Sequence, residues 1–539
     1  MTVPPDNPTR GTSEPGRYWT TVNMGEAAPD VLSPMCWSVW GEPAERGWLY
    51  SMYAFGVLSK GQCEPSSDRM QWGVGVFYGR LAVNVDAVRA VVASLPGVDG
   101  DDFERELWGS TREDPPPVTG DAKRIAVIAV RAPKTLLRQR RTIARLHDTT
   151  SAWWRDEVYG DGSGGSPLDR LLEARDRFIE TFRHHCVTRF MFSGAQSAVT
   201  DAAAKAGHPL LAAQLIAGVG GVLETRMSDD VWRLAHGDLD EDTFLRSWGY
   251  HGPNEGNPSA VVWREDPRPV RQLAKAYVDR ATQRPRDRES QAQRAAAQAE
   301  EALLAATPRL RRSGLRWLLA RTRHVVRTLQ VGKASYLMSI DGVRKATRAL
   351  GAELVASGVL REAEDAFFLT IDECVALDAG RLDDVQALVD RRRSDHESYR
   401  TLSLPVFFHG LPEPVAPLPS VPGQVGDTTL TGAASGGGVV VGRARVLLDV
   451  NDDIDLEDGD ILVCRFTDPS WAPLMSLAEA LVIDMGGSAS HGAVVARELG
   501  IPFVIGTGNG TSVLRDGDRI EVDGRGNTVR VLSPVAPAG

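Results

Sequence analysis

A short apolar run, a pair of glycines and a helix-stopping tail restrict the C-terminal part of this chain more than any other feature. Ala480-Leu481-Val482-Ile483 reads as a short buried strand, after which Gly486-Gly487 turn the backbone so that Ser490 and His491 open a helix. Gly500 and Pro502 stop that helix, and Phe503-Val504-Ile505-Gly506 resumes as the next strand. A histidine in the first turn of a helix faces N–H groups that have no partner within the helix, at the positive end of the helix dipole. Both effects depress its pKa and favour the neutral imidazole. Neutral imidazole is a nucleophile, and the same N–H groups would steady a phosphoryl group attached to it.

The run Gly-Gly-x-x-Ser-His-Gly-Ala-x-x-Ala-Arg-Glu-x-Gly-Ile-Pro, from Gly486 to Pro502, resembles the phosphohistidine motif of the swivelling domain in phosphoenolpyruvate-utilizing enzymes. Its His491-Gly492-Ala493-Val494-Val495-Ala496-Arg497-Glu498 wording is most similar to the rifampin phosphotransferase and phosphoenolpyruvate synthase branch. A second block, Gly459 to Cys464 followed by Thr467-Asp468-Pro469-Ser470-Trp471-Ala472-Pro473-Leu474, resembles the loop that precedes the histidine strand in that branch. The resemblance implies that His491 carries the phosphoryl group, with Thr467, Asp468 and Ser490 beside it as binding residues.

At 539 residues the chain is long enough for two or three domains, each with its own core, and its 42% apolar and 24% charged content is that of a soluble globular protein. A net charge of −10 disfavours general binding to nucleic acid or to anionic membranes. The five cysteines, Cys36, Cys63, Cys186, Cys374 and Cys464, form no Cys-x-x-Cys pattern and are odd in number, which points to reduced thiols in the cytoplasm rather than disulfides or a metal site. The N-terminal stretch has no apolar core of the signal-peptide kind, and no apolar run reaches membrane-spanning length.

Taken in order, residues 1–17 are rich in Pro, Gly, Ser and Thr and are expected to be a disordered leader. The block from Trp19 through Asn23-Met24-Gly25-Glu26 to Trp37-Ser38 resembles the start of the substrate-binding region in rifampin phosphotransferase-like proteins. Aromatics are dense from Trp19 to Trp108, with Trp37, Trp40, Trp48 and Trp72 among them; they either line a site for a bulky, ring-bearing ligand or form core. Arg124 to Val130 is the last clear apolar run before a helical region expected from Pro133 to Arg400. Within that region Trp248-Gly249-Tyr250-His251-Gly252-Pro253-Asn254-Glu255-Gly256 is similar to a Tyr-Gly-His-Arg-Gly…Glu loop of the same family, but with Tyr250-His251 where His-Arg is usual. Trp248 and Tyr250 are candidate ligand contacts. His251 and Glu255 are a candidate acid–base pair, or else the polar groups of a helix-connecting turn.

On a helical wheel Arg309, Arg312, Arg316, Arg323 and Arg327 fall within a sector of roughly 60°. Such a stripe needs an anionic answer: a phosphate-bearing ligand reached by Arg316 and Arg323, a partner's acidic face, or acidic side chains from neighbouring helices. Asp365 to Glu373 is similar to the family's Asp-x-Phe-Phe-Leu-Thr-x-Asp-Glu signature. Six prolines between Pro405 and Pro422 predict an extended spacer.

These readings give an α+β multidomain chain: a leader at 1–17, a largely helical substrate-binding domain at 18–403, a Pro-rich linker at 404–428 and a small C-terminal β/α swivelling domain at 429–539. The family resemblance implies an ATP-grasp domain that phosphorylates the histidine, a swinging domain and an acceptor-presenting domain, and no nucleotide-binding domain can be fitted before Trp19. The expected function is therefore a phosphotransferase component that carries phosphate on His491 to a hydroxyl of a bulky apolar or aromatic small molecule. ATP and Mg2+ enter only through a separate ATP-grasp protein, and the chain itself binds no cofactor or metal. The alternatives are an ATP-independent lyase, isomerase or cyclase acting on a phosphate or diphosphate ester, and a non-catalytic binding protein.

Overall fold

The structure is a computed structural model that describes residues 7–22, 27–28, 30–92, 100–101, 104, 108, 112, 124–160, 162, 164–209, 211–278, 284–415, 429–434, 438–448, 456–487 and 490–535. Residues 1–6 of the expected leader, Asn23 to Glu26, residues 416–428 of the expected linker and Ser488-Ala489 of the histidine motif lie outside this set. Among the described residues helices predominate and the strands gather into two sheets, an α+β architecture. No helix of the described residues is long and apolar enough to cross a membrane.

The chain divides into two compact units, and the division differs from the one expected. Unit 1 comprises Met1–Phe190, Asn254–Ala260 and Val331–Pro417; unit 2 comprises Met191–Pro253, Val261–Gln330 and Leu418–Gly539. Much of the helical region therefore groups with the C-terminal domain instead of forming one domain from 18 to 403.

Unit 1 holds a four-stranded sheet in the order β2-β3-β1-β4, with β1 at Tyr18–Thr20, β2 at Val74–Phe77, β3 at Arg80–Asn84 and β4 at Phe407–His409. β4 pairs antiparallel with β1, Trp19 opposite Phe408, so the segment expected to open a spacer begins as a strand. Alternation explains why: Phe408 turns inward onto Trp19 and Phe77, leaving the proline-dense stretch to follow. The expected leader is also packed from residue 7 onward. The Asn7 amide donates to Asp395 at 2.8 Å, and the Thr9 carbonyl accepts from Gly79 N–H at 2.8 Å. The apolar run Arg124 to Val130 forms the N-cap and first turns of the helix Ile125–Trp153, which tolerates Pro133 within it.

Polar groups fix the helical part of unit 1. Asp341 and Arg344 have fully buried side chains and pair at 2.8 Å, and Trp154 Nε1 donates to the other carboxylate oxygen at 2.7 Å. Arg344 also donates to the carbonyls of Ala260, Glu255 and Asn257. The Asp365–Glu373 signature is likewise structural: Thr370 caps the helix Ile371–Asp378, and Glu373 takes both forks of Arg392 at 2.6 and 2.7 Å.

Unit 2 carries an eight-stranded sheet in the order β5-β12-β11-β7-β8-β9-β10-β6. Its strands are β5 Thr429–Thr431, β6 Ala433–Ala434, β7 Val439–Leu447, β8 Ile461–Cys464, β9 Ala480–Ile483, β10 Phe503–Ile505, β11 Arg519–Asp523 and β12 Thr528–Ser533. β7, β8, β9 and β10 run parallel, and both Ala480–Ile483 and Phe503–Ile505 are strands as the sequence predicts, buried at every position. The helices Leu211–Ile216, Leu223–Ala235, Glu241–Trp248, Arg268–Val278 and Pro285–Ala306 belong to the same unit. The Tyr277 hydroxyl donates to the Pro473 carbonyl at 2.7 Å, and Arg288 donates to that of Ala478 at 3.2 Å.

Asp341→Ala leaves the buried Arg344 guanidinium without its counter-ion and is expected to destabilise unit 1 by about 3–5 kcal/mol. Asp341→Asn, which keeps an acceptor for Trp154, is expected to lose less; denaturant unfolding of the two variants measures the difference.

Candidate functional site

His491 is the first residue of the helix His491–Leu499, between parallel strands β9 and β10. Its N-cap Ser490 is extended, with φ −69° and ψ 165°, and accepts from Ala493 N–H at 3.4 Å. Gly500, at φ 66°, closes the other end in the left-handed conformation. Thr467 and Asp468 lie in the loop that leaves β8, so three of the residues implied by the motif join His491 at the C-terminal edge of the parallel strands, where open α/β sheets build their sites. Asp468 is directed at its own loop, capping the turn Pro469–Trp471 through Ser470 N–H at 2.9 Å.

The Thr467 hydroxyl lies 3.5 Å from His491 Nδ1. As an acceptor it holds the proton on Nδ1 and leaves the lone pair on Nε2, the nitrogen then available as nucleophile. Gly492 permits this approach: a Cβ there would stand 2.7 Å from both Thr467 Oγ1 and Ile483 Cδ1.

On the far side of the ring is a residue that sequence reasoning missed. Glu224 Oε1 lies 4.0 Å from His491 Nε2, and each side chain is 6% exposed. Glu224 stands in the first turn of the helix Leu223–Ala235, and with the Gln330 amide oriented nitrogen-first, Gln330 donates to Glu224 Oε2 at 3.0 Å. No periodicity ties residues 224, 330 and 491 together; their meeting is a product of tertiary packing alone.

The histidine helix is also anchored at its C-terminal end. Glu498 Oε2 accepts from Val219 N–H at 2.9 Å and Gly220 N–H at 3.3 Å, in a turn of glycines with left-handed φ at Gly218, Gly220 and Gly221. Burial pushes the Glu498 carboxyl up to about 8, against the pull of those two N–H groups. Beside it, burial lowers Arg497 to about 10 while its guanidinium covers the Phe503 ring.

The remaining candidates are placed as follows. Trp19 and Trp37 lie in the core of unit 1; Trp19 meets Phe77 edge-on at 4.9 Å and donates from Nε1 to Ser13 at 2.8 Å. His251 belongs to unit 2 and is buried among Trp248, Tyr250 and Trp263, while Glu255 belongs to unit 1, where its carbonyl accepts from Arg344. Trp248 Nε1 donates to Asp230 at 3.0 Å. Arg316 is exposed, whereas Arg323 pairs with Glu300 at 2.7 Å and Arg327 donates to the carbonyls of Val219 and Gly220, so protein groups answer this part of the arginine stripe. Arg323, Arg327, Glu300 and the glycine turn line an open cleft of about 470 Å³. Among the described residues no three His, Cys, Asp or Glu side chains cluster as a metal site.

With this geometry in hand, residues 456–526 match the family described as PEP-utilising enzyme, mobile domain, and residues 240–328 match the rifampicin phosphotransferase fourth domain. Over these segments the chain is similar to PEP-utilising enzymes. Among individual proteins it is 44% identical over 183 residues to a rifampicin phosphotransferase of Streptomyces sp, a match covering 34% of this chain and 21% of that relative. It is 38% identical over 185 residues to the rifampicin phosphotransferase of Bacillus subtilis, covering 33% of this chain and 20% of the relative. An uncharacterised protein of Mycobacterium tuberculosis is 35% identical over 214 residues, covering 40% and 24%. The matches thus span about a fifth to a quarter of the relatives' own length.

Gly492→Ala is expected to force Thr467 away from Nδ1 and to destabilise unit 2 by about 1–3 kcal/mol, read by thermal unfolding. Because Glu498 titrates higher in the folded chain than in the unfolded one, its contribution to stability is full below about pH 4.3 and is lost as pH rises to about 8. Glu498→Gln is expected to flatten that part of the stability–pH curve, on the order of 3–4 kcal/mol between pH 5 and 8.

Proposed function

We propose that this chain carries a phosphoryl group on His491 Nε2 and transfers it to a hydroxyl of a bulky apolar or aromatic small molecule. The observation that carries the reading is the contact of Thr467 with Nδ1 at the start of a capped helix, which, with the hydroxyl as acceptor, leaves Nε2 to act as the nucleophile. The similarity of residues 456–526 to a PEP-utilising mobile domain supports the same reading. In the loaded state the helix N-terminus stabilises the phosphoryl oxygens, and the nitrogen leaves with its electron pair when the acceptor oxygen bonds to phosphorus. ATP and Mg2+ belong to an ATP-grasp protein that loads the histidine. The relatives are named for phosphoryl transfer involving rifampicin, which makes that compound the first acceptor to try.

One observation favours a second reading. A carboxylate facing Nε2 at 4.0 Å also makes Glu224 and His491 a proton-transfer pair, as an ATP-independent lyase, isomerase or cyclase on a repurposed scaffold would need. Such an enzyme would act on a phosphate or diphosphate ester and form no phosphohistidine.

Incubation with a candidate ATP-grasp protein and labelled ATP, or with phosphoramidate as a direct phosphoryl donor, separates the two. The first reading predicts one acid-labile, base-stable phosphoryl group per chain, lost in His491→Ala. Failure of His491 to take label from either donor sinks it in favour of the second.

A further inference from the structure

Glu224 reaches the reacting nitrogen from a different helix than the one that carries it, and its placement relative to an attached phosphoryl group can be worked through. Oε1 lies 4.0 Å from His491 Nε2, on the side of the ring opposite the Thr467 contact to Nδ1. A nitrogen–phosphorus bond takes up less than half of that gap. The carboxylate oxygen therefore lies, when the histidine is unloaded, within the space that an attached phosphoryl group and an incoming hydroxyl need around Nε2. A phosphoryl group alone already crowds the gap between the two side chains, so the carboxylate must turn aside once the histidine is loaded. It then lies beside the attacking oxygen, within reach of its proton.

We propose, resting on the phosphohistidine reading, that Glu224 is the general base of the transfer step and that Gln330 is the residue that positions it. In that step the acceptor O–P bond forms and the P–Nε2 bond breaks. The electron pair of the broken bond stays on Nε2, the hydroxyl proton passes to the Glu224 carboxylate, and the proton on Nδ1 remains held by Thr467. No further reactant is needed, and the histidine is returned neutral and ready for reloading. With its amide nitrogen toward Glu224, Gln330 donates to both carboxylate oxygens, to Oε2 at 3.0 Å and more closely to Oε1, so it can aim the carboxylate. The bland alternative is that Glu224 merely fills a buried polar position. It accounts for the Gln330 contact but gives no reason for an acid to face the reacting nitrogen across a gap of this size.

The full chain is loaded with phosphoramidate, freed of donor, and left in buffer containing methanol as a surrogate alcohol. Loss of phosphohistidine and appearance of phosphate and methyl phosphate are followed by 31P NMR. Glu224→Gln, which keeps the shape of the side chain, is expected to load to the same extent and to discharge about 100-fold or more slowly. Glu224→Ala is expected to be similarly slow and to be rescued by added formate, an effect that a packing role would not produce. Discharge of Glu224→Gln at the wild-type rate overturns the assignment, as does a slow Glu224→Ala that formate leaves unchanged. If wild-type His491 takes no phosphoryl group at all, the failure lies with the phosphohistidine reading and removes this inference with it.

Discussion

Glu498 holds its carboxyl group out of water against the N–H groups of Val219 and Gly220, and this buried contact ties the histidine helix to the turn that precedes the helix Leu223–Ala235. An acid is buried this deeply only where donors are fixed in advance, and left-handed glycines together with Arg327, bonded to the carbonyls of the same turn, fix them. Anchoring the helix at Glu498 sets the position of its other end, nine residues long as it is, and so decides what His491 faces. The grouping of residues 191–253 and 261–330 with the C-terminal sheet follows from the same contact and from the bonds made by Tyr277 and Arg288.

The imidazole has a distinct neighbour on each nitrogen. Thr467 addresses Nδ1 at a distance that only a glycine at 492 permits, and Glu224 addresses Nε2. A hydroxyl stands beside Nδ1 and a carboxylate beside Nε2, an arrangement suited to chemistry in which Nε2 gains and loses a group. By contrast, two of the other candidate residues pack against aromatic neighbours. Trp19 packs in a sheet core, and His251 is enclosed by three aromatic rings.

What could be read from the chain alone was local. The strand, glycine turn, capped helix and strand around His491 follow from apolar runs and breakers within about twenty-five residues, and local propensity governs such segments. The motif also brought Thr467 and Asp468 to the same sheet edge, because both follow a strand parallel to β9. The division into units was not legible: helices of Ala, Leu, Arg and Glu carry no mark of which core they will join, and buried contacts such as Tyr277 to Pro473 decide it. Glu224 escaped for the same reason, since a single acid after a glycine turn looks like an ordinary helix start. Composition counts the prolines and glycines of the N-terminal stretch but carries no sign that Asn7 meets Asp395.

The account stands or falls on which nitrogen of His491 reacts. Treating the isotopically labelled chain with phosphoramidate and recording 15N and 31P spectra identifies the bonded ring nitrogen without need of the natural donor or acceptor. The geometry predicts a single phosphohistidine with phosphorus on Nε2 and the proton retained on Nδ1. Phosphorus found on Nδ1 would contradict the role given to Thr467 and, with it, the orientation on which the proposed transfer depends.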